Sequence, residues 1–378
     1  MSGRRSACRS PVAVLAAVLV VAGLLAGACG GNGDSANGVV SPRPAATQTI
    51  GPLTVLALAD DRVPALASLL APVDKVVVRQ RISFTDGDDA VATLQHGRRV
   101  DVLVTCSDEY PPDLARTGLL QPLDTRRLPG LNAIVPAMRA LPGTTVDGRL
   151  YAVPLEAGVV GIVYDPRDVT RPPASFRAFF SRSTTHGVAM IDSPVLGLQI
   201  GALALGFREP AAMNDAQLLR VAVLYEKRRE DFGVFWRRRS GLLRAFRSGT
   251  VSLAAATESD ALWLRKHGVP VRFVPGAEGG LLWACLAGIP TGAPHPDAAY
   301  AFLDAALSSQ AQAAKADRYP QAGLNVGSLT ATGGLPPEVA LLTTTAAQRS
   351  VTVVRPADYP AWLIAWTKAK QPRRPGCG

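Results

Sequence analysis

The sequence has few of the residues from which metal centres and disulfide frameworks are built. Its 378 residues include four histidines and five cysteines, and no C-x-x-C pair occurs. The spacing therefore gives no support for a zinc site, and we predict neither a metal nor a cofactor. The signatures G-x-S-x-G, H-E-x-x-H and the P-loop are missing as well, so no known catalytic motif indicates an enzyme.

The N-terminus has the order of an export signal. Three arginines within the first nine residues precede an unbroken apolar stretch over residues 12–25, and small residues follow. A membrane-spanning helix needs about 20 apolar residues and charged flanks, which this shorter stretch lacks. We therefore predict that residues 1–28 are a signal peptide.

Cys29 comes directly after the small residues. The hexapeptide Leu-Ala-Gly-Ala-Cys-Gly resembles a bacterial lipobox, although Ala26 stands where leucine is usual. Acylation of Cys29 would anchor the protein to the outer face of the cytoplasmic membrane, since each buried CH₂ contributes about 0.8 kcal/mol. Cleavage nearby with an incidental cysteine is the alternative. Residues 29–49 are rich in Gly, Ser, Pro and Thr, which predicts a flexible tether.

The chain is basic, with a formal charge of +10 that falls to +7 when the signal peptide is removed. The arginines are scattered and export separates the protein from DNA, so we predict no nucleic-acid partner and expect attraction to anionic envelope surfaces. Residues 226–247 interleave arginines with aromatics, which could bind an anionic strand. We favour an amphipathic helix that buries its aromatics.

Strand-like apolar runs alternate with helical patterns from residue 53 onwards. The first strands are predicted at residues 53–58, 76–78 and 100–104, and the helices after them at 63–70, 88–94 and 112–119. A second set has a strand at 187–191 and helices over 196–205 and 215–225. This alternation predicts an α/β fold with a largely parallel sheet, and a mature length of about 350 residues indicates two lobes.

Polar residues follow two of the predicted strands. Ligands of α/β folds collect where parallel strands end. The residues at such ends are Asp60, Asp61, Ser107, Asp108 and Tyr110. Their position alone makes them candidates for a binding pocket.

Four stretches, taken in order, resemble the spermidine/putrescine-binding proteins of bacterial ABC importers. They lie within residues 100–124, 147–164 (beginning DGRLYAVP), 246–251 and 275–325 (beginning PGAEGGLLWACLAGIP). The resemblance covers about residues 53–330, and the order of the motifs carries more weight than any one of them. It implies a two-lobed periplasmic-binding-protein-like fold with hinge-linked lobes and an interlobe cleft.

The resemblance also implies how the lobes divide the chain. Lobe 1 would consist of residues 50–158 and 286–328, and lobe 2 of residues 159–285 and 329–378. We expect two or three chain crossings between them, a separate sheet in each lobe, and a C-terminal segment packed on lobe 2.

The binding site of this family combines aromatic walls with carboxylates at the ammonium ends of the ligand. Four family positions have matching residues here: Asp60 or Asp61, depending on the alignment, then Tyr110, Trp283 and Tyr319. Others are changed: the carboxylate two residues beyond the tryptophan is Cys285, another tryptophan falls near Thr257, and two acidic positions are Ser193 and Leu196, with Asp192 adjacent.

Other acids could replace the lost carboxylates or could be ordinary surface groups. They are Asp108, Glu156 in the predicted hinge, Glu258 and Asp260. For Cys285 we favour a small buried apolar role over a reactive thiol, and a disulfide with Cys106 stays open.

The resemblance implies a lipid-anchored receptor without enzymatic activity. It would capture a small solute of the polyamine or amine type and deliver it to permease and ATPase subunits on other chains. The eroded acid set motivates two alternatives, a receptor for a different small polar solute and an envelope regulatory lipoprotein that does not transport. A catalytic role for Glu156 with a nearby serine is a third, which no motif supports.

Overall fold

The computed structural model describes residues 50–58, 76–84, 87–110, 114–139, 141–142, 144–181, 186–318, 323–331 and 350–371. The calls that lie outside these ranges are the signal peptide, the tether with Cys29, the helix over 63–70, and Asp60, Asp61 and Tyr319. They stay predictions from the sequence.

Three parallel strands form the first part of the sheet. Strand β1 (Ile50–Leu58) pairs with β2 (Val76–Phe84) on one side and with β3 (Val102–Cys106) on the other, and helix α1 (Gly87–Gln95) connects the latter two. These elements confirm the strand–helix alternation predicted from the apolar runs. Buried Asp101, just before β3, accepts hydrogen bonds from the backbone of Thr54 at 2.7 Å and of His295 at 2.8 Å, which ties β3 to its surroundings.

The middle of the sheet is antiparallel. After the short helix α2 (Pro136–Arg139) and the hairpin strands β4 (Thr145–Val146) and β5 (Arg149–Leu150), strand β6 (Ala152–Tyr164) runs for 13 residues, all of them buried. Strand β11 (Leu281–Gly288) lies antiparallel between β6 and β3. The hairpin turns at Asp147 and Gly148, both with positive φ, as a two-residue Asp-Gly turn requires.

The second part of the sheet is again parallel. Strand β7 (Gly187–Ile191) pairs with β8 (Phe232–Trp236) and with β9 (Val251–Thr257), and β9 and β10 (Arg272–Val274) both lie antiparallel to β6. The helices that follow these strands are α3 (Pro194–Ala204), α4 (Asp215–Lys227), α5 (Arg239–Arg247) and α6 (Glu258–Lys266).

The remaining helices and one short strand follow β11 in the C-terminal part of the chain. Helices α7 (Pro296–Leu307), α8 (Ser309–Arg318) and α9 (Val326–Ala331) follow β11, and strand β12 (Val351–Thr352) pairs with the start of β11. Helix α10 (Tyr359–Lys370) packs against α3 and α4 and buries Trp362 and Trp366. Short 3₁₀ turns lie at Thr125–Arg127, Pro129–Ala133, Phe176–Phe180, Pro210–Ala212 and Arg229–Asp231.

The buried apolar residues form two separate cores, although the strands are hydrogen-bonded into one continuous sheet. Within the described residues the strands follow the order β2-β1-β3-β11-β6-β9-β7-β8, so the expected separation into two sheets is wrong. The buried side chains nevertheless separate between Val159 and Val160 on β6 and between Leu281 and Leu282 on β11. Strand β6 is long enough to serve both cores, which is why one sheet runs through two hydrophobic interiors.

Two predicted helices are wrong for the same physical reason. Residues 114–118, described within the helix predicted over 112–119, form turns that end at Gly118 with a φ of +73°. The stretch 226–247 is not one helix, because it contains strand β8 and then helix α5. In both cases apolar residues three to five positions apart imitate a helical stripe, while tertiary packing buries them from a different backbone.

Candidate functional site

The ends of β3 and β12 both bind β11, one on each side of Trp283. Strand β3 runs antiparallel to β11 and β12 runs parallel to it. The backbone NH of Ser107, just after β3, donates to the carbonyl of Ala284 at 2.7 Å. The backbone NH of Val353, just after β12, donates to the carbonyl of Leu282, also at 2.7 Å. The residues that follow β3, among them Asp108 and Tyr110, therefore begin beside β11, as do the residues that follow β12. We call β6 and β11 the hinge strands, because both run through the two cores.

Trp283 lies at the boundary of the two interiors. Its half-buried side chain packs against both hydrophobic cores. Its indole Nε1 is buried and has no hydrogen-bond partner in the described part of the chain. A buried donor without a partner costs about 1–3 kcal/mol, so this position is suited to a ligand that supplies an acceptor or lies over the ring.

Gly158 on β6 lies directly opposite Trp283 and makes room for the site. A Cβ on Gly158 would lie 3.0 Å from the indole Nε1 and 2.8 Å from the Oε1 atom of Glu258. The absence of a side chain therefore lets the indole ring and the Glu258 carboxyl group approach the same point of the hinge. Sequence reasoning did not identify Gly158, because nothing in its context marks a close approach.

Glu258 is the first residue of α6, immediately after β9. Its Oε2 accepts a hydrogen bond from the backbone NH of Val159 at 2.9 Å. Burial raises the pKa of Glu258 to about 8, and nearby Asp260 adds to this, whereas the backbone hydrogen bonds and Arg239 oppose it. The group is therefore protonated at neutral pH, and a cation placed beside it would favour its ionised form.

Asp108 and Ser193 join the two sides of the site. Both are buried, and the Ser193 hydroxyl lies 3.5 Å from Oδ2 of Asp108. Ser193 is also the N-cap of α3, where its hydroxyl accepts from the backbone NH of Leu196 at 3.3 Å. The serine that occupies a family acidic position thus contacts an acid from the other part of the chain.

Asp192, the acid next to Ser193, is bound elsewhere. It accepts hydrogen bonds from Nε1 of Trp366 at 2.8 Å, from Nε of Arg237 at 2.9 Å and from the Lys370 ammonium group. Although burial would raise it, the hydrogen bonds from Lys370 and Trp366 hold the pKa of Asp192 below its usual range. Asp192 therefore clamps α10 and does not supply a carboxylate to the site.

A disulfide bond joins Cys106 to Cys285 beside Glu156. Cys285 lies opposite Cys106 on β3 and opposite Glu156 on β6, so the three residues occupy one face of the sheet. This settles the open question about the two cysteines and fixes the end of β3, where Ser107 and Asp108 begin, to the hinge strand. Glu156 is fully buried in the predicted hinge crossing.

Thr257 and Tyr110 complete the set of predicted residues. The Thr257 hydroxyl accepts from the backbone NH of Asp260 at 3.0 Å and donates to its carboxylate at 2.7 Å, so it caps α6. Asp260 in turn binds Arg239, whose Nε lies 2.6 Å from its Oδ1. Burial raises the pKa of Tyr110, whose hydroxyl has no partner among the residues that the structure describes.

The described ranges contain no cluster of His, Cys, Asp and Glu that could hold a metal ion. None of the helices within them is long and apolar enough to cross a membrane.

Comparisons with known proteins agree on the family. Residues 45–326 match the model of the bacterial extracellular solute-binding proteins. The putrescine/agmatine-binding protein of Pseudomonas aeruginosa is 26% identical over 251 residues, which cover 59% of this chain and 64% of that protein. The match thus spans less than two thirds of that relative.

Solved structures show the fold. The spermidine/putrescine ABC transporter substrate-binding protein of Streptococcus pneumoniae superposes with a TM-score of 0.68 at 17% identity, covering 86% of this chain and all of that one (100%). A lipoprotein of Treponema pallidum gives a TM-score of 0.67 at 17% identity, covering 84% of this chain and 99% of that one.

These matches confirm the α/β, two-lobed periplasmic-binding-protein-like fold and the resemblance found in the sequence. Neither the matched family nor these structural relatives are enzymes, in agreement with the sequence. The chain belongs to the bacterial extracellular solute-binding proteins.

Proposed function

We propose that this protein is the receptor of an ABC importer, that it captures a small amine-bearing solute in the cleft around Trp283, and that it delivers the solute to a permease. Membership of the solute-binding family supports the receptor role. The relative from Pseudomonas aeruginosa is named for binding putrescine and agmatine, and the one from Streptococcus pneumoniae for spermidine and putrescine. These names support an amine as the solute.

The observation that carries the proposal is the pairing of Trp283 with Glu258 across Gly158. An ammonium group over an indole face gains about 0.5–2 kcal/mol. A charge-assisted hydrogen bond to a carboxylate adds about 1.5–3 kcal/mol. Glu258 ionises when a cation approaches, so the two groups together select a primary amine over a neutral solute.

The same site argues against tight binding of long polyamines. An extended polycation needs an acceptor at each charged end. The family's carboxylate two residues beyond the tryptophan is here Cys285, which is part of a disulfide, and one of its acidic positions is Ser193, the N-cap of α3. Each missing charge-assisted bond forfeits about 1.5–3 kcal/mol, or roughly ten- to a hundredfold in affinity. We expect spermidine to bind weakly, with Asp60 or Asp61 and Tyr319 as predicted further contacts.

The proposal includes two features that depend on the sequence. Acylated Cys29 would hold the receptor on the outer face of the cytoplasmic membrane through the tether. The lobes, with residues 50–158 and 286–328 in one and the rest of the mature domain in the other, would close on the solute by bending at β6 and β11. The boundary between the two cores lies close to these divisions and supports them.

Calorimetry with propylamine, putrescine, agmatine and spermidine tests the proposal. We expect at least one small amine to bind, and Trp283→Ala to weaken it about tenfold through loss of the ring. The matched control is Trp263→Ala, because the Trp263 ring packs against His267 near the C-terminal end of α6. Equal losses in both variants would remove Trp283 from the site, and the absence of any amine binding would refute the amine proposal.

A further inference from the structure

The proposed amine site leaves one buried cation unexplained. Arg355 follows β12, and its side chain is only 7% exposed. A buried guanidinium group needs paired acceptors, because its desolvation otherwise costs several kcal/mol.

Arg355 lies where the two sides of the cleft meet. Two residues before it, Val353 binds β11 next to Trp283, and the carbonyl of Val354 accepts from Gln199 on α3 at 3.1 Å. Its guanidinium group reaches Asp88 at the start of α1, on the other side of the boundary between the cores. Gly87, the neighbour of Asp88, in turn donates to Glu109 in the loop after β3.

The Nε–Nη2 edge of the guanidinium group, which is the edge that binds carboxylates, lies in an ion pair with Asp88 but makes no hydrogen bond in the described part of the chain. Nε and Nη2 are both buried and neither has a hydrogen-bond partner within the described ranges. Oδ1 of Asp88 lies 2.8 Å from Nη2, but off the direction of its N–H bonds. Asp88 is 65% exposed, so water screens its charge and it compensates the arginine weakly.

The guanidinium group of Arg355 is held in place by an aromatic ring on one of its faces. The guanidinium carbon lies 4.1 Å from the centre of the Tyr359 ring, and Tyr359 is itself buried at the start of α10. A fixed, buried and unsatisfied Nε–Nη2 edge matches the two oxygens of a carboxylate in a bidentate pair.

We infer that the solute carries a carboxylate as well as an amine, and that Arg355 binds the carboxylate while Trp283 and Glu258 bind the amine. The ligand class is a small amino acid in which a flexible chain separates the two charges. The amine half of this inference rests on the proposed function, and the carboxylate half rests on Arg355 alone. A diamine of the same length would place its second ammonium group beside the guanidinium group and be repelled.

Three five-carbon amines that differ only at the far end test the inference. They are 5-aminopentanoate, 5-aminopentanol and 1,5-diaminopentane, titrated into the intact protein by calorimetry. We expect the carboxylate compound to bind at least tenfold more tightly than the diamine, with the alcohol between them. This ranking needs no variant, so it stands even where a substitution impairs folding.

Variants then assign the preference to the residue. Arg355→Gln should weaken 5-aminopentanoate at least tenfold and leave the diamine unchanged or tighter. Asp88→Asn should leave 5-aminopentanoate unchanged or tighter, because it removes only the competing acid. Arg167→Gln removes the same charge from an ion pair at the far end of β6, between an exposed arginine and the buried Asp165, and should change neither ligand.

The outcomes separate the two proposals. Tighter binding of the diamine than of 5-aminopentanoate overturns the carboxylate inference and leaves the amine receptor standing. Equal losses for all three ligands in Arg355→Gln, or the same effect in Arg355→Gln and Asp88→Asn, would make Arg355 a structural ion-pair residue. If none of the three amines binds, the carboxylate inference fails, and the titrations with propylamine, putrescine, agmatine and spermidine then decide whether the amine proposal fails with it.

Discussion

The raised pKa of Glu258 makes amine binding depend on pH in a predictable direction. Burial, the main cause, raises this pKa from an ordinary value near 4.5 to about 8. An ammonium group binds the ionised carboxylate, so the ligand must displace the proton below pH 8. The charges of 5-aminopentanoate itself are constant between pH 6 and pH 8, because its carboxylate titrates well below and its ammonium group well above this range.

The size of the effect follows from the ionised fraction of Glu258. With a pKa of about 8 the fraction ionised rises from roughly 1% at pH 6 to roughly one half at pH 8, so the affinity should rise roughly fiftyfold. Above pH 8 the affinity should level off. The charged groups near the carboxyl are Asp260 and Arg239, which are paired with each other.

Calorimetry in two buffers of different ionisation enthalpy measures this directly. At pH 6.5 we expect about one proton to be released for each molecule of 5-aminopentanoate bound, and fewer as the pH approaches 8. Glu258→Gln should bind more weakly at pH 8 and show neither proton release nor pH dependence. An affinity that stays flat from pH 6 to pH 8, or a pH dependence that survives in Glu258→Gln, would refute the assignment.

Further predictions concern stability and anchoring. Without ligand, the free energy of unfolding should fall by up to about 1.4 kcal/mol per pH unit as the pH rises from 4.5 to 8. The reason is that the folded state retains the Glu258 proton that the unfolded chain has lost. Denaturant titrations should therefore show a steeper dependence of stability on pH in the wild type than in Glu258→Gln. Gly197→Ala should destabilise the protein by about 1–3 kcal/mol, because the new Cβ would lie 2.3 Å from the buried ring of Trp366. Gly241→Ala is the control: the atom nearest to its Cβ is 3.9 Å away, so it should be neutral or stabilise the protein by up to about 1 kcal/mol. Equal melting temperatures of the two variants would contradict this prediction. Replacing both cysteines of the disulfide, which closes a sequence separation of 179 residues, should cost about 2–5 kcal/mol by chemical denaturation, and a smaller change than about 1 kcal/mol would show that the bond contributes little. Cys29→Ala should release the protein from membranes or leave it unprocessed, whereas unchanged fractionation and acyl labelling would disprove the lipid anchor.

Short apolar runs in the sequence predicted the strands and therefore the positions of their carboxyl ends. The apolar runs before residues 58, 106 and 191 are short and bounded by polar residues, and each is a strand in the structure. The strand that ends at Cys106 then places Ser107 and Asp108 at the hinge, as the topology of a parallel sheet requires. Helix boundaries failed where apolar spacing alone was used, since packing decides between a helix and a turn with the same side chains buried.

Long-range contacts account for what the sequence did not reveal. Asp192 is adjacent to a family acidic position, but Lys370, 178 residues away, binds it and removes it from the site. Arg355 lies in a C-terminal segment with no motif, and only its burial and the contact of Val353, two residues earlier, with β11 mark it. Gly158 is important only because Trp283 on β11 and Glu258 at the start of α6 both approach it, and neither contact can be seen in the local sequence.

The sharing of β6 and β11 between the two cores has a consequence for export. An exported chain leaves the translocase from its N-terminus and folds as it emerges. The first core cannot close until β11, α7 and Leu324 are outside, and the second also requires α10 at residues 359–370. Until then β1 to β3 have an open edge where β11 will pair. If the chain crosses the membrane unfolded, as the predicted signal peptide implies, neither core can form before most of the chain has crossed.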